Sequence, residues 1–124
     1  MPPSARPLAS YAPIGDGRTV ALIGLDGRID WLPLPGLTDL PVFARLLDEE
    51  TGGCVELQPT GKFRTERRYV PETNVLETTF LTDAGTVRVT DALVSGVAGR
   101  LPWAELARRI DGVEGEVAMR WRVQ

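Results

Sequence analysis

The sequence predicts a mainly β fold, an antiparallel β-sandwich portion with one short helix. Three observations support this prediction: apolar and polar residues alternate along several short stretches, 13 glycines and 10 prolines separate these stretches, and an Asp-Gly pair lies between two apolar runs. Alternation with a period of two is typical of strands with one buried face. Frequent Gly and Pro residues are typical of short elements joined by turns. A chain of 124 residues is long enough for one domain with a buried core.

The Asp-Gly pair predicts a β-hairpin near the start of the chain. An apolar and β-branched run at residues 19–23 precedes the sequence Gly24-Leu25-Asp26-Gly27, and a second extended run occupies residues 28–34. Asp-Gly between two such runs indicates a tight turn, because Gly tolerates the positive φ angle that the turn requires. We therefore expect Gly27 to adopt a positive φ.

The first 13 residues form a proline-rich segment that predicts an extended arm. Its four prolines remove backbone donors and restrict φ. We expect Tyr11 to attach the end of this arm to the fold. The sequence thus divides into an arm at residues 1–13 and a β-sandwich domain at residues 14–124.

Residues 39–47 are the segment in which a helix of about two turns is predicted. Asp39 can cap a helix, and Pro41 is tolerated in its first turn. Three apolar residues share one face at helical spacings of three and four: Phe43, Leu46 and Leu47.

From Cys54 onward the hydrophobic period changes to two, and further strands are predicted. They occupy, in order, residues 54–58, 62–70, 74–82, 86–93 and 116–123. The third and fourth of these flank a short loop with Gly85, which predicts an antiparallel hairpin. The last stretch alternates most regularly, so one of its faces should be buried against an opposing layer. That face consists of Val117, Met119, Trp121 and Val123.

Composition excludes several function classes. The formal charge of −3 at pH 7 is spread over interspersed acidic and basic residues, so the basic footprint of a nucleic-acid-binding protein is missing. No apolar run reaches the roughly 20 residues that a membrane-spanning helix requires. The first residues also lack the apolar core of a signal peptide. We therefore expect a cytoplasmic protein with no nucleic-acid partner and no membrane partner.

The chain contains one cysteine, Cys54, and no histidine. An internal disulfide is therefore impossible, and a Cys–His nucleophile or a soft-metal site lacks its side chains. We expect Cys54 to be a buried structural thiol. We also expect no cofactor and no bound metal.

Six segments, in one order and at matching spacing, resemble the opening of bacterial proteins in glycoside hydrolase family 15, the glucoamylase and trehalase-like enzymes. They include Ile14-Gly-Asp-Gly-Arg-Thr19 and Gly27-Arg-Ile-Asp-Trp-Leu32. The other four are residues 42–48, 67–78, 85–91 and 106–115. The resemblance implies a supersandwich-like N-terminal β-sandwich domain that precedes a helical catalytic barrel. It also implies a strand around residues 103–110, where apolar spacing alone slightly favours a helix.

The chain departs from the family pattern at residues 36–38, where Gly, Leu and Thr replace the Arg, Phe and Asp that are common in the family. Family sandwiches also continue well past the position of Gln124. We therefore expect the 14–124 domain to be incomplete at its C-terminal end and to expose a sheet edge or an apolar face. The remainder of the same enzyme, with its helical catalytic barrel, or a self-associated copy would cover that face.

Four residues within the resembling segments are candidates for contacts with substrate at the pocket rim or with the barrel: Asp16, Arg18, Asp30 and Trp31. For Asp16 the alternative is a turn cap between two glycines, and for Arg18 it is an ion pair with Asp16 or Asp30. Trp31 either packs in the core or offers a flat apolar face on which a sugar can stack. We assign no catalytic residue, since the acid and base of the family lie on its barrel.

The resemblance implies a non-catalytic N-terminal accessory domain of a glucoamylase- or trehalase-like α-glucoside hydrolase, an inverting enzyme of carbohydrate metabolism. The chain alone is then inactive, and the α-glucoside is the substrate of the parent enzyme. The alternative is a free-standing carbohydrate- or protein-binding β module. Exposed coplanar aromatic side chains would favour carbohydrate binding, whereas an apolar patch with open strand edges would favour docking on another protein surface.

Overall fold

The computed structural model describes residues 6–95 and 103–124, which form two antiparallel β-sheets packed face to face. Residues 1–5 of the predicted arm lie outside the described residues. Within these ranges the strands are β1 (Ala12–Gly15), β2 (Val20–Ile23), β3 (Ile29–Pro33), β4 (Pro41–Phe43), β5 (Val55–Pro59), β6 (Arg64–Tyr69), β7 (Leu76–Leu81), β8 (Gly85–Leu93), β9 (Leu106–Gly115) and β10 (Met119–Val123). A single 3₁₀ turn, Leu8–Ser10, precedes them. The predicted mainly β sandwich is confirmed.

The first sheet has the strand order β1-β2-β3-β5-β10, and β4 pairs with β3 beside this path. The second sheet is a meander with the order β6-β7-β8-β9. The predicted hairpin at residues 19–34 is β2–β3, and Gly27 in its turn has the predicted positive φ, 77°. The predicted hairpin around Gly85 is β7–β8. No described helix has the length and apolar character that crossing a bilayer demands.

Two clusters of buried side chains fill the space between the sheets. The larger one consists of Ala12, Ile14, Ala21, Ile23, Ile29, Leu32, Val55, Leu76 and Leu93. The smaller one consists of Leu57, Phe80, Val87 and Val89. Burying one large side chain of this kind contributes roughly 1.5–3 kcal/mol, so these clusters hold the sandwich together. Cys54 is fully buried and free, which confirms the predicted structural thiol.

Residues 39–47 do not form the predicted helix. Pro41–Phe43 is strand β4, and turns follow it. The backbone N–H of Leu46 donates to the Asp30 carbonyl of β3 at 3.0 Å instead of bonding within a helix. Phe43 packs against the larger core cluster. Pairing with β3 therefore overrides the helical spacing, because it satisfies the backbone and also packs part of the Phe43 ring against the core.

The last two strands occupy the predicted positions and leave apolar side chains exposed. Strand β9 confirms the strand expected around residues 103–110. Val117 and Met119 pack against the smaller core cluster, whereas Trp121 and Val123 are 73% and 57% exposed. The described chain therefore covers only part of the predicted apolar face and leaves the rest open, as expected. The second sheet ends at β9, where Ile110 is also 48% exposed. Among the described residues, no further strand covers this side of the sandwich.

Hydrogen bonds from side chains of β6, in the second sheet, connect to backbone carbonyls of the first described residues and of the first sheet. The guanidinium of Arg67 in β6 donates to the Ser10 carbonyl at 2.7 Å and to the Ile23 carbonyl at 3.1 Å. The hydroxyl of Tyr69 donates to the Pro13 carbonyl at 2.7 Å. These bonds satisfy carbonyls near the β1 edge and tie the arm to the sandwich.

Candidate functional site

Asp16 lies in the turn between β1 and β2, at one end of the sandwich. Its Oδ1 accepts hydrogen bonds from the backbone N–H groups of Arg18, at 2.8 Å, and Thr19, at 3.0 Å. Burial raises the pKa of Asp16, but the two N–H donors and the Arg18 charge lower it more, so the net pKa lies below its ordinary value. The predicted turn cap is confirmed. Within the described chain, Oδ2 of Asp16 makes no hydrogen bond.

Arg18 joins three loops at the same end of the sandwich. Its carbonyl accepts a hydrogen bond from the Leu37 N–H at 3.0 Å, and its Nη2 donates to the Trp103 carbonyl at 3.1 Å. The predicted ion pair of Arg18 with Asp16 or Asp30 is therefore wrong for the described residues. The guanidinium instead bridges to the start of the β9 segment, a contact between residues far apart in sequence.

We call this end the loop cluster and define it as residues 16–18, 36–40 and 103–105. Three of its apolar side chains are exposed: Leu37 by 62%, Leu40 by 88% and Trp103 by 55%. The loop cluster thus exposes apolar side chains, and hydrogen bonds of Arg18 connect its three loops.

Asp30 lies inside the fold, with 1% of its surface exposed. Its carboxylate accepts two hydrogen bonds from the Arg28 guanidinium, from Nε at 2.6 Å and from Nη2 at 3.0 Å. The Tyr11 hydroxyl donates a third bond at 2.6 Å. A buried carboxylate without such partners would be strongly unfavourable, so Arg28 and Tyr11 are what allow Asp30 to lie there. Tyr11 also attaches the arm, as predicted.

A second ion pair lies next to this network. Nη1 and Nη2 of Arg6 donate to the two Asp26 oxygens at 2.8 Å and 2.6 Å. Burial raises the pKa of Asp26, but Arg6 and the Arg28 backbone N–H lower it more, so the net pKa lies below its ordinary value. The pair ties the first described residue to the β2–β3 turn.

Tyr11 should ionise at unusually high pH. Burial and the bond to Asp30 raise its pKa from 10.0 to about 12. Because the folded-state pKa is the higher one, the stability from this hydrogen bond is complete below the ordinary value and is lost as pH rises through about 12. Tyrosinate absorbance against pH measures this, since the chain has only two tyrosines.

The variant Tyr11→Phe leaves Tyr69 as the other tyrosine and should remove the highest-pH step of that titration. The variant Asp30→Asn should move the same step toward the ordinary tyrosine range, because it removes the negative charge. A highest-pH step that persists in Tyr11→Phe would contradict the assignment.

A pocket of about 390 Å³ opens above this network. It is lined by Arg6, Tyr11, Arg28, Asp30, Arg45 and residues 46–50. Within the described residues, Nε of Arg45 is buried and makes no hydrogen bond. A wall of guanidinium, carboxylate and hydroxyl groups suits a small polar molecule rather than an apolar one. Most of these groups already bind one another.

Trp31 lies in β3 but belongs to neither core cluster. It pairs with Leu22, whose neighbours Ala21 and Ile23 are buried in the core. Paired residues share a face and successive residues alternate, so Trp31 and Leu22 lie on the outer face of the first sheet. Trp31 is half-buried there. Core packing of Trp31 is therefore not observed, and sugar stacking stays a prediction.

An apolar groove of about 450 Å³ runs between the ends of the two sheets. We call it the edge groove; its lining residues are Phe43, Val55, Leu57, Leu106, Arg108, Ile110, Trp121 and Val123. Buried Val55 and Leu57 form its floor, while β9 and β10 form its walls. Such a lining can bind an apolar segment.

Two arginines with largely buried side chains, Arg28 and Arg108, were not predicted from the sequence. Arg28 stands two residues before Asp30 in the chain, a spacing that places both on one side of an extended segment, so this signal was available. Arg108 meets Asp91 only because β8 and β9 pair in one register. No group of three or more His, Cys, Asp or Glu residues in ranges 6–95 and 103–124 is placed to hold a metal ion.

Comparison with known proteins gives one consistent result. The chain matches the family described as trehalase-like, N-terminal, over residues 2–120. It is 36% identical over 104 residues to a trehalase of Mycobacterium tuberculosis, covering 83% of this chain and 14% of that relative. A trehalase of Mycolicibacterium smegmatis is also 36% identical over 104 residues, 83% of this chain and 15% of the relative.

A trehalase of Thermoplasma volcanium is 32% identical over 101 residues, 79% of this chain and 16% of the relative. The chain therefore spans only 14–16% of the length of these curated relatives. No solved structure is significantly similar to it.

Proposed function

Because the chain belongs to the trehalase-like N-terminal domain family, we propose that it is the non-catalytic N-terminal accessory domain of a trehalase- or glucoamylase-like α-glucoside hydrolase. The extent of the match carries this proposal: the family covers residues 2–120, whereas the alignment covers only 14% of a 36% identical trehalase. The parent is then an inverting enzyme of glycoside hydrolase family 15, with a helical catalytic barrel. A cytoplasmic location is part of the proposal and is supported by the free, buried Cys54.

The roles of the buried carboxylates support a non-catalytic domain. An inverting glycosidase needs an acid and a base that both reach the sugar, about 6.5–9.5 Å apart. Asp30 and Asp91 are buried and bind arginines, and Asp16 caps a turn. These three carboxylates stabilise the fold, and the α-glucoside is the substrate of the barrel.

We assign the contact with the catalytic barrel to the loop cluster. Exposed apolar side chains that gather on one surface mark interaction sites, and Leu37, Leu40 and Trp103 are exposed by 62%, 88% and 55%. Asp16 and Arg18 lie in this cluster, which supports their predicted role in interdomain or rim contacts. Trp31 faces outward from the first sheet, and Asp30 lies inside the fold. The open strand edges also favour docking over a free-standing carbohydrate module.

The isolated chain should show no glycosidase activity, because its proposed role leaves the acid and base on the barrel. The assay measures hydrolysis of maltose, isomaltose, trehalose and starch by the purified chain. Turnover that disappears when a carboxylate of this chain is replaced would overturn the non-catalytic role.

A chimeric enzyme tests the accessory role directly. In the Mycolicibacterium smegmatis trehalase, the segment aligned with this chain is replaced by the chain itself. We expect the chimera to hydrolyse trehalose and a deletion of the segment to be inactive. Leu37→Asp with Leu40→Asp should lower the activity of the chimera about tenfold or more, since it places charge in the docking surface.

Val113→Asp is the matched control, because Val113 is 50% exposed and lies outside the loop cluster. A folded but inactive chimera would refute the accessory role. If the Leu37/Leu40 and Val113 variants lowered the activity of the chimera equally, the assignment of the barrel contact to the loop cluster would be refuted.

A further inference from the structure

The pocket of about 390 Å³ beside Asp30, which we call the polar pocket, is built on a bulge in β3. In β2, Ile23 pairs with Ile29, and the residue before Ile23 pairs with Trp31. Asp30 therefore has no partner in β2. A bulge re-aims the side chain of its extra residue and is common next to functional sites. Here it places the Asp30 carboxylate in the wall of the polar pocket.

Another part of the lining comes from the turn at residues 44–53, which hydrogen bonds hold in place. The Leu46 N–H donates to the Asp30 carbonyl of β3 at 3.0 Å, and the Arg45 N–H donates to the Gly53 carbonyl at 3.1 Å. The side chains of this turn are thus positioned before a ligand arrives. Such preorganisation lowers the cost of binding.

Arg45 brings a guanidinium without a counter-charge to the polar pocket. Within residues 6–95 and 103–124 it forms no salt bridge, and its buried Nε makes no hydrogen bond. Nη1 of Arg45 lies 3.5 Å from the Gln124 side-chain amide, but the oxygen of that amide is better placed to accept from the Arg122 guanidinium. A buried donor without an acceptor is unfavourable, and a bound molecule with an acceptor would satisfy it.

The polar pocket also contains free acceptors. Its lining includes four carboxylates, of which Asp30 binds Arg28 and Asp48 accepts from two backbone N–H groups of its own turn. The carboxylates of the other two, Glu49 and Glu50, form no salt bridge with the described part of the chain. Free donors and free acceptors therefore line the same pocket.

These free groups decide which chemistry the ligand needs. Glu49 and Glu50 would repel a small anion, and Arg45 would repel a small cation. A hydroxyl group both donates and accepts, so a neutral molecule with several hydroxyls can bind both kinds of group. The volume of about 390 Å³ lies near the lower end of small-molecule sites, which measure roughly 300–1,000 Å³. A sugar of one or two rings has this chemistry and this size.

We propose that the polar pocket is a secondary α-glucoside site on the accessory domain, separate from the active site on the barrel. Arg45 donates to sugar hydroxyls, and Glu49 and Glu50 accept from them. Leu47, which lines the pocket and is 75% exposed, contacts the apolar face of a ring. The choice of an α-glucoside among neutral polyhydroxyl molecules rests on the proposed function. The site itself rests on the free groups of the pocket.

Titration of the purified chain with trehalose, followed by NMR, tests this proposal. Saturable shifts should appear at the amides of residues 46–50 and not at Val113, which lies outside the pocket. Arg45→Gln should weaken binding about tenfold or more, because a charged hydrogen-bond donor is lost. It should leave the urea midpoint unchanged, since its Nε has no partner to lose. The control Arg64→Gln, at an exposed arginine of β6, should change neither quantity.

The variant Glu49→Ala with Glu50→Ala separates a sugar site from an anion site. It should weaken trehalose binding, because two acceptors are lost, whereas it would tighten the binding of inorganic phosphate by removing like charges. Phosphate binding that is tightened in this variant, without trehalose binding, would assign the pocket to an anion and overturn the proposal. Unchanged trehalose binding in Arg45→Gln would overturn it as well.

An absence of saturable trehalose shifts in the unmodified chain would likewise overturn the secondary site. That result would leave the accessory role standing, because the activity of the chimeric trehalase tests that role separately. Conversely, an inactive chimera together with trehalose binding by the chain would refute the accessory role and leave the polar pocket as a sugar site.

Discussion

Replacing Asp91 with asparagine should lower the free energy of unfolding by about 3–5 kcal/mol, the cost typical of breaking a buried ion pair. The Asp91 carboxylate has no exposed surface and binds Arg108 through Nε at 2.6 Å and Nη2 at 3.0 Å. Nη2 of Arg108 also donates to the Gly27 carbonyl, which joins the second sheet to the β2–β3 turn. Asp91→Asn leaves the buried guanidinium without its counter-charge. Urea denaturation of the purified chain measures the loss.

Strand β9 offers a matched control for this ion pair. Asp111 binds Arg109 at 2.9 Å, but the two side chains are 42% and 73% exposed. Asp111→Asn should cost less than about 1 kcal/mol, as is usual for surface pairs. The double variant Asp91→Leu with Arg108→Met should be more stable than Asp91→Asn, because it removes both charges. If Asp91→Asn and Asp111→Asn lowered the free energy of unfolding equally, burial would not be what makes the Asp91–Arg108 pair important for stability.

Replacing Gly27 with alanine should destabilise the chain by about 2–4 kcal/mol, the sum of a backbone and a packing cost. The φ of 77° at Gly27 is unfavourable for a residue with a Cβ atom. That Cβ would also lie 2.8 Å from the Leu57 carbonyl oxygen and 2.9 Å from Cζ of Phe80. Both neighbours belong to the packed interior, so neither can move away cheaply. The midpoint of thermal or urea unfolding reports the change.

Two other glycines separate the backbone cost from the packing cost. Gly17 has a φ of 88°, but a Cβ added there would meet no atom within 4 Å, so Gly17→Ala should cost only about 1 kcal/mol. Gly61 also has open space around it and no positive φ. Gly61→Ala should therefore leave stability nearly unchanged. If Gly27→Ala destabilised the chain no more than Gly17→Ala does, the close contacts of the added Cβ with Leu57 and Phe80 would add nothing to the loss of stability.

Features that depend on neighbouring residues were predictable from the sequence. The positive φ of Gly27 follows from the Asp-Gly turn, and the burial of Leu76, Thr78 and Phe80 follows from alternation along one strand. The Asp16 cap likewise involves only the next three residues. In these cases the hydrogen-bond partner or the packing face is fixed by a local period.

Features that depend on distant partners were not predictable in this way. The segment with Phe43 and Leu46 has helical spacing, yet pairing with β3 makes it a strand and turns. Arg18 was expected to bind a nearby carboxylate but binds the Trp103 carbonyl, which only the folded chain brings close. Strand β9 was assigned through the family resemblance, since its own spacing slightly favoured a helix. Tertiary contacts decide each of these cases.

The path of the chain through the first sheet has a consequence for the order of folding. In the sheet ladder, strand β5 pairs with β3 at one position, Ile29 with Val55, whereas five positions pair it with β10 at the other end of the chain. Strands β6 to β9 each pair with a sequence neighbour, and the β6–β7 and β7–β8 loops are short, so these pairings form quickly. During synthesis the four-stranded sheet can therefore begin to form before β10, the strand with which β5 makes most of its pairs, has been made. Premature release or truncation before β10 would leave β5 open to pairing with other chains.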